Sequence, residues 1–258
     1  MTEGYSQPPP AQRLRIPFSR QTVTEDDVQR VVEVLRSDWL TTGPMVERFE
    51  GALAEYVGAE HAVAVSSGTA ALHAAMFALG IGPDDEVIVP AMAFAATANG
   101  VVYQGGTPVF ADVDPQTLLV DPRQVEIRIT PRTRAIIAVD FAGQPCDYRA
   151  LTEIAREHHL VLIGDASHAL GARCAGKPVG SVADLSTFSM HPVKPITTGE
   201  GGMITTDDGT LAELMRRFRN HGFTLDHHQR VRAGSWHSEM VDLGYNYRLT
   251  DIQSALGL

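Results

Sequence analysis

The sequence predicts an α/β fold in which a mostly parallel β-sheet lies between helices. Short apolar runs typical of buried strands alternate with segments in which apolar residues recur at helical spacing. This alternation, without internal repeats, favours parallel strands joined by helices on both faces of the sheet. The chain has 258 residues, of which 44% are hydrophobic and 20% charged. It can therefore bury one large core.

Two helices and a strand open this arrangement. Thr24 begins a capping signal before a helix whose apolar face recurs at helical spacing, and Pro44–Val57 predicts a second helix. His61–Val65 is a strand-like run that turns through small residues into a third helical pattern. Gly80 and Gly82 follow that pattern and predict its end. The apolar face of the first helix consists of Val28, Val31, Val32 and Leu35.

The remaining elements continue the alternation. Further strands are predicted at Glu86–Pro90, Pro108–Asp112, Arg134–Val139 and Leu160–Ile163. The helices between them are predicted near Phe94–Val102, Pro122–Ile129 and Asp147–His158. Two last strands, Leu185–Ser189 and Met203–Thr206, flank a short loop, and a helix follows at Leu211–Phe218. From His221 to Glu239 the pattern becomes a polar loop, which we expect to be mobile until a ligand binds.

The loop between the last two strands contains Lys194. A lysine that is partly removed from water has a lowered pKa, so its amine can attack an aldehyde and form a Schiff base. Taken alone, a loop lysine such as Lys194 is more often a solvated surface charge. Its interpretation therefore depends on which other residues are predicted to lie near it.

Asp165 follows the apolar run Leu160–Ile163, which predicts a buried parallel strand. Ligands bind at the carboxyl ends of strands in open α/β sheets. An aspartate at that edge can keep the ring nitrogen of a cofactor such as pyridoxal phosphate protonated. The alternative is an ordinary helix-capping or turn aspartate.

The small residues Ser66–Thr69 join a strand to a helix start. Backbone N–H groups at a helix start favour an anion, so this turn predicts a phosphate cradle. The same residues also cap ordinary helices. The turn lacks both the Walker lysine and the dinucleotide glycine fingerprint, which argues against a nucleoside triphosphate or NAD.

A phosphate turn, a strand-end aspartate and a loop lysine follow one another as in fold type I pyridoxal phosphate enzymes, the aspartate aminotransferase fold, which the chain resembles. Asp165–Gly171, His191–Gly202 and Leu243–Gln253 resemble the nucleotide-sugar aminotransferases of the DegT/DnrJ/EryC/StrS family. Within this family, the lysine loop and Phe141–Asp147 resemble the branch that serves pseudaminic acid biosynthesis. The resemblance covers residues 16–258.

The resemblance implies three catalytic residues. Lys194 would link covalently to the cofactor and then move a proton, and Asp165 would hold the pyridine nitrogen protonated. His168 would lie beside the ring hydroxyl.

The resemblance also implies the binding residues. Phe94 would stack on the cofactor ring, although core packing is the alternative for this aromatic residue. Gly68, Thr69 and Ser189 would bind the phosphate, together with Asn246 from the neighbouring subunit. His191 and Arg248 would contact the substrate, and a structural ion pair is the alternative for Arg248.

The implied reaction moves an amino group from L-glutamate to C-4 of a UDP-linked 4-keto-6-deoxy sugar, in a homodimer with shared active sites. Two alternatives stay open: an aminotransferase for another keto sugar or a cyclitol, and an inactive remnant that only binds cofactor or dimerises. A sugar dehydratase of this fold is disfavoured because such relatives replace the lysine with histidine.

The expected domain organisation has three parts. Residues 1–15 form a flexible arm, residues 16–249 the cofactor-binding large domain, and residues 250–258 the start of a helix leading to a small C-terminal domain. That domain is missing from the sequence, so we expect either a fragment or a truncated gene product, of doubtful activity alone. At Gly164 relatives often have an acidic residue, and we expect a modest effect.

Composition excludes several classes of function. A formal net charge of −10 argues against nucleic acid and anionic membranes as partners. Cys146 and Cys174 are far apart, which predicts reduced thiols in a cytoplasmic protein, and neither a signal peptide nor a membrane span is predicted. The histidine pairs His158–His159 and His227–His228 lack the spacing of a helical metal site, so no metal is expected.

Overall fold

The computed structural model describes Pro17, residues 19–225, residues 230, 231 and 234, and residues 236–258. The strands are β1 (His61–Val65), β2 (Glu86–Pro90), β3 (Thr107–Ala111), β4 (Thr133–Val139), β5 (Val161–Asp165), β6 (Arg173–Cys174), β7 (Lys177–Pro178), β8 (Leu185–Ser189) and β9 (Gly202–Thr206). The helices are α1 (Glu25–Leu35), α2 (Pro44–Val57), α3 (Gly68–Ala78), α4 (Ala95–Tyr103), α5 (Pro122–Glu126), α6 (Tyr148–Glu157), α7 (Gly209–Phe218) and α8 (Asp251–Gly257).

Seven strands form one sheet in the order β1-β9-β8-β5-β4-β2-β3, and β6 pairs with β7 separately. Only β9 runs antiparallel to its neighbours in the seven-stranded sheet. The predicted mostly parallel sheet between helices is confirmed. Six carboxyl ends therefore meet at one edge, where a ligand site is expected.

Helices cover both faces of the sheet. On one face, α3 packs against α4 and α7 over the valines and isoleucines of the central strands. On the other face, α6 packs with α5 over β5, while α2 lies against β1. Both layers bury apolar side chains that point alternately from the same strands, which is why these strands are apolar throughout.

Strand β5 extends two residues beyond the predicted end at Ile163. Gly164 and Asp165 stay in the sheet because they pair with Ala138 and Val139 of β4. On the other side they pair with β8. Asp165 is thus held by a strand on each side, a much stiffer position than a loop after the strand.

The end of the chain packs onto its beginning. Thr250 caps α8, which lies against α1 and α2. The Asp251 carboxylate accepts hydrogen bonds from the backbone N–H groups of Gly43 (2.7 Å) and Met45 (2.8 Å), at the start of α2. Two predicted segments fall outside the described residues: the arm over residues 1–15 entirely, and the loop over residues 221–239 in part.

At two positions near the sheet edge, Gly202 and Gly68, the neighbouring chain segment lies so close that only glycine fits. A Cβ on Gly202, at the start of β9, would overlap the carbonyl group of Ser67. A Cβ on Gly68 would lie 2.8 Å from the Cβ of Ser189. The turn before α3 therefore lies directly against β8 and β9.

In the described part of the chain, no helix has the length and apolar character needed to cross a membrane.

Replacing Gly202 by alanine should lower the free energy of unfolding by about 2–3 kcal/mol, because the new methyl group meets fixed backbone. Denaturant unfolding of both proteins measures the difference. Gly51→Ala is the matched control: Gly51 lies in α2, and a Cβ added there would have nothing within 4 Å. At this position alanine should stabilise by about 0.5–1 kcal/mol through helix propensity. Equal effects at both positions would contradict the close approach.

Candidate active site

One cleft of about 740 Å³ opens at the carboxyl edge of the sheet. Its walls come from the start of α3, the start of α4, the end of β5 and the loop between β8 and β9. Eight of the residues singled out from the sequence line it: Gly68, Thr69, Phe94, Asp165, His168, Ser189, His191 and Lys194. Residues more than 100 positions apart in the chain are therefore brought together.

The start of α3 forms one end of the cleft. Ser67 caps the helix by accepting a hydrogen bond from the N–H of Ala70 (3.1 Å). The first-turn N–H groups of Gly68 and Thr69 have no partner within the helix by geometry. Ser189, at the end of β8, lies against Gly68. Thr69 and Ser189 both line the cleft beside this helix start, an arrangement suited to an anion.

Asp165 lies at the floor of the cleft and is only 5% exposed. One carboxylate oxygen, Oδ2, accepts a hydrogen bond from the Thr97 hydroxyl at 2.8 Å. The other, Oδ1, accepts from the Ser167 hydroxyl at 2.6 Å and from the Ser167 N–H at 3.3 Å. Hydrogen bonds of this kind favour the charged form of a buried carboxylate.

Lys194 lies half-buried in the loop that connects β8 and β9. Hydrogen bonds within this loop hold it: the N–H of Lys194 donates to the carbonyl of His191 (2.9 Å), and Met190 pairs with Gly201. Burial lowers the pKa of the Lys194 ammonium, while the nearby Asp165 charge opposes that shift. The pKa direction agrees with the expectation of a reactive amine.

His168 is held in a defined tautomer. Its Nδ1 accepts a hydrogen bond from the N–H of Ala142 at 3.3 Å. Burial, and secondarily the Lys194 charge, lower the pKa of His168, while Asp165 raises it. A neutral ring that accepts at Nδ1 carries its proton at Nε2. His168 can therefore donate a hydrogen bond from Nε2.

Phe94 is exposed despite its size. The ring is 77% accessible and lines the cleft immediately before α4. Core packing, the alternative considered for this residue, is therefore excluded. An exposed aromatic face in a cleft is suited to stacking against a planar ligand.

Asn246 and Arg248 do not line this cleft. Asn246 forms an isolated bridge with Asn220. Arg248 donates from Nη1 to the Asn220 side-chain oxygen at 2.9 Å and lines a separate, small groove with Arg219. Burial, followed by the Arg219 charge, lowers the pKa of Arg248. Within one chain, these two residues do not reach the site.

Sequence reasoning missed the two hydroxyl groups that hold Asp165. Ser167 could have been found, because a serine two residues after an aspartate commonly bonds back to it. Thr97 carried no such signal, since 68 positions separate it from Asp165. Only the packing of α4 on the sheet brings it there.

A second buried carboxylate lies behind the first. Asp140 is fully buried; it accepts from the Tyr148 hydroxyl (2.9 Å) and the N–H of Cys146 (2.9 Å). Burial raises the pKa of Asp140 to about 6, and Asp165 adds to this shift. A Cβ on Gly164 would lie 2.6 Å from the Tyr148 hydroxyl. Tyr148 thus occupies the space that a side chain at position 164 would need.

The two cysteines are free, with Cys146 buried and Cys174 partly exposed. Within the described ranges, one group of side chains could offer three ligand atoms to a metal: Glu126, Glu157 and His158, whose ligand atoms lie within 4.8 Å of one another. All three are exposed. Surface groups of this kind are common without an ion, and we assign no metal to them.

Known proteins are similar to the chain over nearly its whole length. A family model described as the DegT/DnrJ/EryC1/StrS aminotransferase family matches residues 21–258. The spore coat polysaccharide biosynthesis protein SpsC of Bacillus subtilis (strain 168) is 44% identical over 244 residues, which are 94% of this chain and 63% of SpsC. This chain therefore spans less than two thirds of the length of that relative.

Solved structures give the same result. The PMP form of the putative sugar aminotransferase Spr1654 from Streptococcus pneumoniae has a TM-score of 0.89 and 36% identity, covering 94% of this chain and 66% of that one. Spr1654 has also been solved in a PLP form. Helicobacter pylori PseC, an aminotransferase involved in the biosynthesis of pseudoaminic acid, has a TM-score of 0.85 and 37% identity, covering 93% of this chain and 63% of that one.

Asp140→Asn should change how stability depends on pH. The pKa of Asp140 rises on folding from 3.8 to about 6, so its contribution is fully present below pH 3.8 and lost as the pH rises to about 6. Between pH 3 and 7 the parent should lose about 3 kcal/mol that the variant does not lose. Unfolding by denaturant at several pH values measures this. If the free energy of unfolding depends on pH in the same way in both proteins, the pKa of Asp140 does not rise on folding and the prediction is wrong.

Proposed function

The chain belongs to the DegT/DnrJ/EryC1/StrS aminotransferase family, and from this premise we propose that it is a pyridoxal phosphate-dependent aminotransferase. Its proposed reaction transfers an amino group from L-glutamate to C-4 of a UDP-linked 4-keto-6-deoxy sugar, in pseudaminic acid or related surface-glycan biosynthesis. The single observation that carries the proposal is the meeting of Lys194, Asp165, Phe94 and the start of α3 in one cleft.

The residues of the cleft fit pyridoxal phosphate. The cofactor has a phosphate, an aromatic ring with a nitrogen, a hydroxyl and an aldehyde. The start of α3 with Ser189 suits the phosphate, and exposed Phe94 suits the ring face. Buried Asp165 suits a protonated ring nitrogen, and Lys194 suits the aldehyde. Each group of the cofactor thus has a chemically matched partner.

Bound pyridoxal phosphate supplies an electron-withdrawing ring that stabilises the carbanion formed next to the transferred nitrogen. Lys194 would hold the cofactor through its amine, which is the group able to react with an aldehyde. As a free amine, Lys194 would also accept a proton from the substrate carbon and deliver it to the carbon on the other side of the transferred nitrogen. Burial lowers the pKa of Lys194 and so increases the neutral fraction of its amine at a given pH.

Asp165 and His168 act on the ring from fixed positions. The Asp165 carboxylate, fixed by hydrogen bonds from two hydroxyl groups, would pair with the protonated ring nitrogen. His168 would donate from Nε2 to the ring hydroxyl. Hydrogen bonds from Ala142 to His168 and from Thr97 and Ser167 to Asp165 hold both side chains in place.

The substrate class is supported by the relatives. PseC is described as acting in pseudoaminic acid biosynthesis and SpsC in spore coat polysaccharide biosynthesis. His191 lines the cleft beyond Lys194 and is proposed to contact the sugar. Arg248 is proposed to contact the nucleotide, from the neighbouring subunit.

A homodimer is part of the proposal. Asn246 lies outside the cleft of its own chain, so its proposed contact with the phosphate requires a second subunit. Exposed apolar side chains flank it, namely Met240 (65%), Val241 (48%), Leu243 (77%) and Tyr245 (39%). Such a surface is typical of an interface. We propose the cytoplasm as the location.

Two alternatives are kept. An aminotransferase for another keto sugar or a cyclitol would use the same cleft residues. An inactive chain that binds cofactor or dimerises would keep the large domain without turnover.

Borohydride reduction tests the proposed role of Lys194. The chain contains only two lysines, Lys177 and Lys194. With pyridoxal phosphate, reduction should fix the cofactor to Lys194, and Lys194→Ala should lose at least about nine tenths of the trapped absorbance. Lys177→Ala is the matched control and should trap as the parent does. Peptide mass mapping locates the label. Equal trapping by both variants would overturn the proposed role.

Amination of candidate sugars tests the reaction. The chain is incubated with pyridoxal phosphate, L-glutamate and UDP-linked 4-keto-6-deoxy sugars, and mass spectrometry follows the amino product and 2-oxoglutarate. We expect both products in equal amounts. Formation from another keto sugar or a cyclitol alone would favour the first alternative. Cofactor binding without product would favour the second.

A further inference from the structure

We propose that Thr97 is a positioning residue that fixes the Asp165 carboxylate for the ring nitrogen of the cofactor. The inference rests on the proposed function and extends it to a residue outside the segments on which the family resemblance was argued. Thr97 lies in α4, is 1% exposed and donates from its hydroxyl to Asp165 Oδ2 at 2.8 Å. Its proposed role is to hold the Asp165 side chain in place.

The two carboxylate oxygens of Asp165 accept hydrogen bonds from two different parts of the chain. Ser167, two residues later in the same chain segment, holds Oδ1 at 2.6 Å. Thr97, from a helix on the face of the sheet, holds Oδ2. Two separate anchors stop the carboxylate from rotating, whereas Ser167 alone would leave Oδ2 free to turn. A fixed carboxylate presents its remaining lone pairs in one direction.

Helix α4 also positions the residue proposed to stack on the ring. Phe94 immediately precedes α4, and the N–H of Thr97 donates to the carbonyl of Phe94 at 3.0 Å. The aromatic side chain and the hydroxyl are therefore one helical turn apart. Helix α4 would therefore position Phe94 against the face of the cofactor ring and, through Thr97 and Asp165, would also fix the place of the ring nitrogen.

The surroundings explain why a hydroxyl is needed. Asp165 is nearly buried, and the carboxylate of Asp140 lies close enough to interact with it electrostatically. In the described part of the chain, no ion pair joins Lys194 to Asp165. Without the Thr97 hydroxyl, Oδ2 would be a buried acceptor lacking its protein partner, which is costly.

The test compares Thr97→Val, which keeps the shape and removes the hydroxyl, with Thr97→Ser, which keeps the hydroxyl. Two quantities are measured on the full chain: the Kd for pyridoxal phosphate, and the ¹⁵N chemical shift of the ring nitrogen in ¹⁵N-labelled cofactor. Thr97→Val should raise the Kd about tenfold and move the shift toward neutral pyridine. Thr97→Ser should restore both.

Inorganic phosphate is the control ligand. It probes only the start of α3, so its Kd should change less than about twofold in Thr97→Val. A parallel loss of phosphate binding would indicate general damage and overturn the proposal. So would a parent-like ring-nitrogen shift in Thr97→Val, or equal impairment of the valine and serine variants. If the valine variant does not fold, Thr97→Ala takes its place, since alanine favours a helix.

The parent separates this inference from the proposed function. A parent chain that binds no pyridoxal phosphate would overturn the proposed function and this inference with it. A parent that binds the cofactor with a protonated ring nitrogen, while the valine variant behaves identically, overturns only the inference.

Discussion

A buried negative charge is the constraint on which this site depends. Asp165 is 5% exposed at the end of a central strand, and a carboxylate in such a place is unfavourable unless hydrogen bonds compensate for lost water. Thr97 and Ser167 provide that compensation. The position of α4 and the turn after β5 are thereby tied to one functional group. The hydrogen bonds that compensate for the burial of Asp165 therefore also fix the position of its carboxylate.

Close packing creates the other end of the cleft. Because Gly202 and Gly68 lack side chains, the turn before α3 lies against β8 and β9. This contact brings Ser189 beside a helix start that is far from it in the chain. The anion-binding surface is therefore a product of the sheet order, in which β9 lies between β1 and β8. A larger side chain at either glycine would separate its parts.

The electrostatics of the cleft are consistent with one another. Burial lowers the pKa values of Lys194 and His168, while the nearby Asp165 charge opposes both shifts. Burial also raises the pKa of Asp140 behind the site to about 6. Asp165, held by two hydroxyl groups, is the buried carboxylate that lines the cleft. A cationic ring nitrogen would find its partner there.

The sequence by itself determined the fold class and most element positions, and it predicted eight of the residues that line the cleft. Periodicity follows from local burial, so apolar runs and helical spacing revealed strands and helices, and motif resemblance pointed to Lys194, Asp165 and the α3 turn. Tertiary structure alone decided that Asp165 belongs to the sheet, that Phe94 is exposed, and that Thr97 and Tyr148 approach the strand end. These depend on how helices pack across the sheet. Contacts between distant segments leave no periodic trace in the chain, because each side satisfies its own local pattern equally well without them.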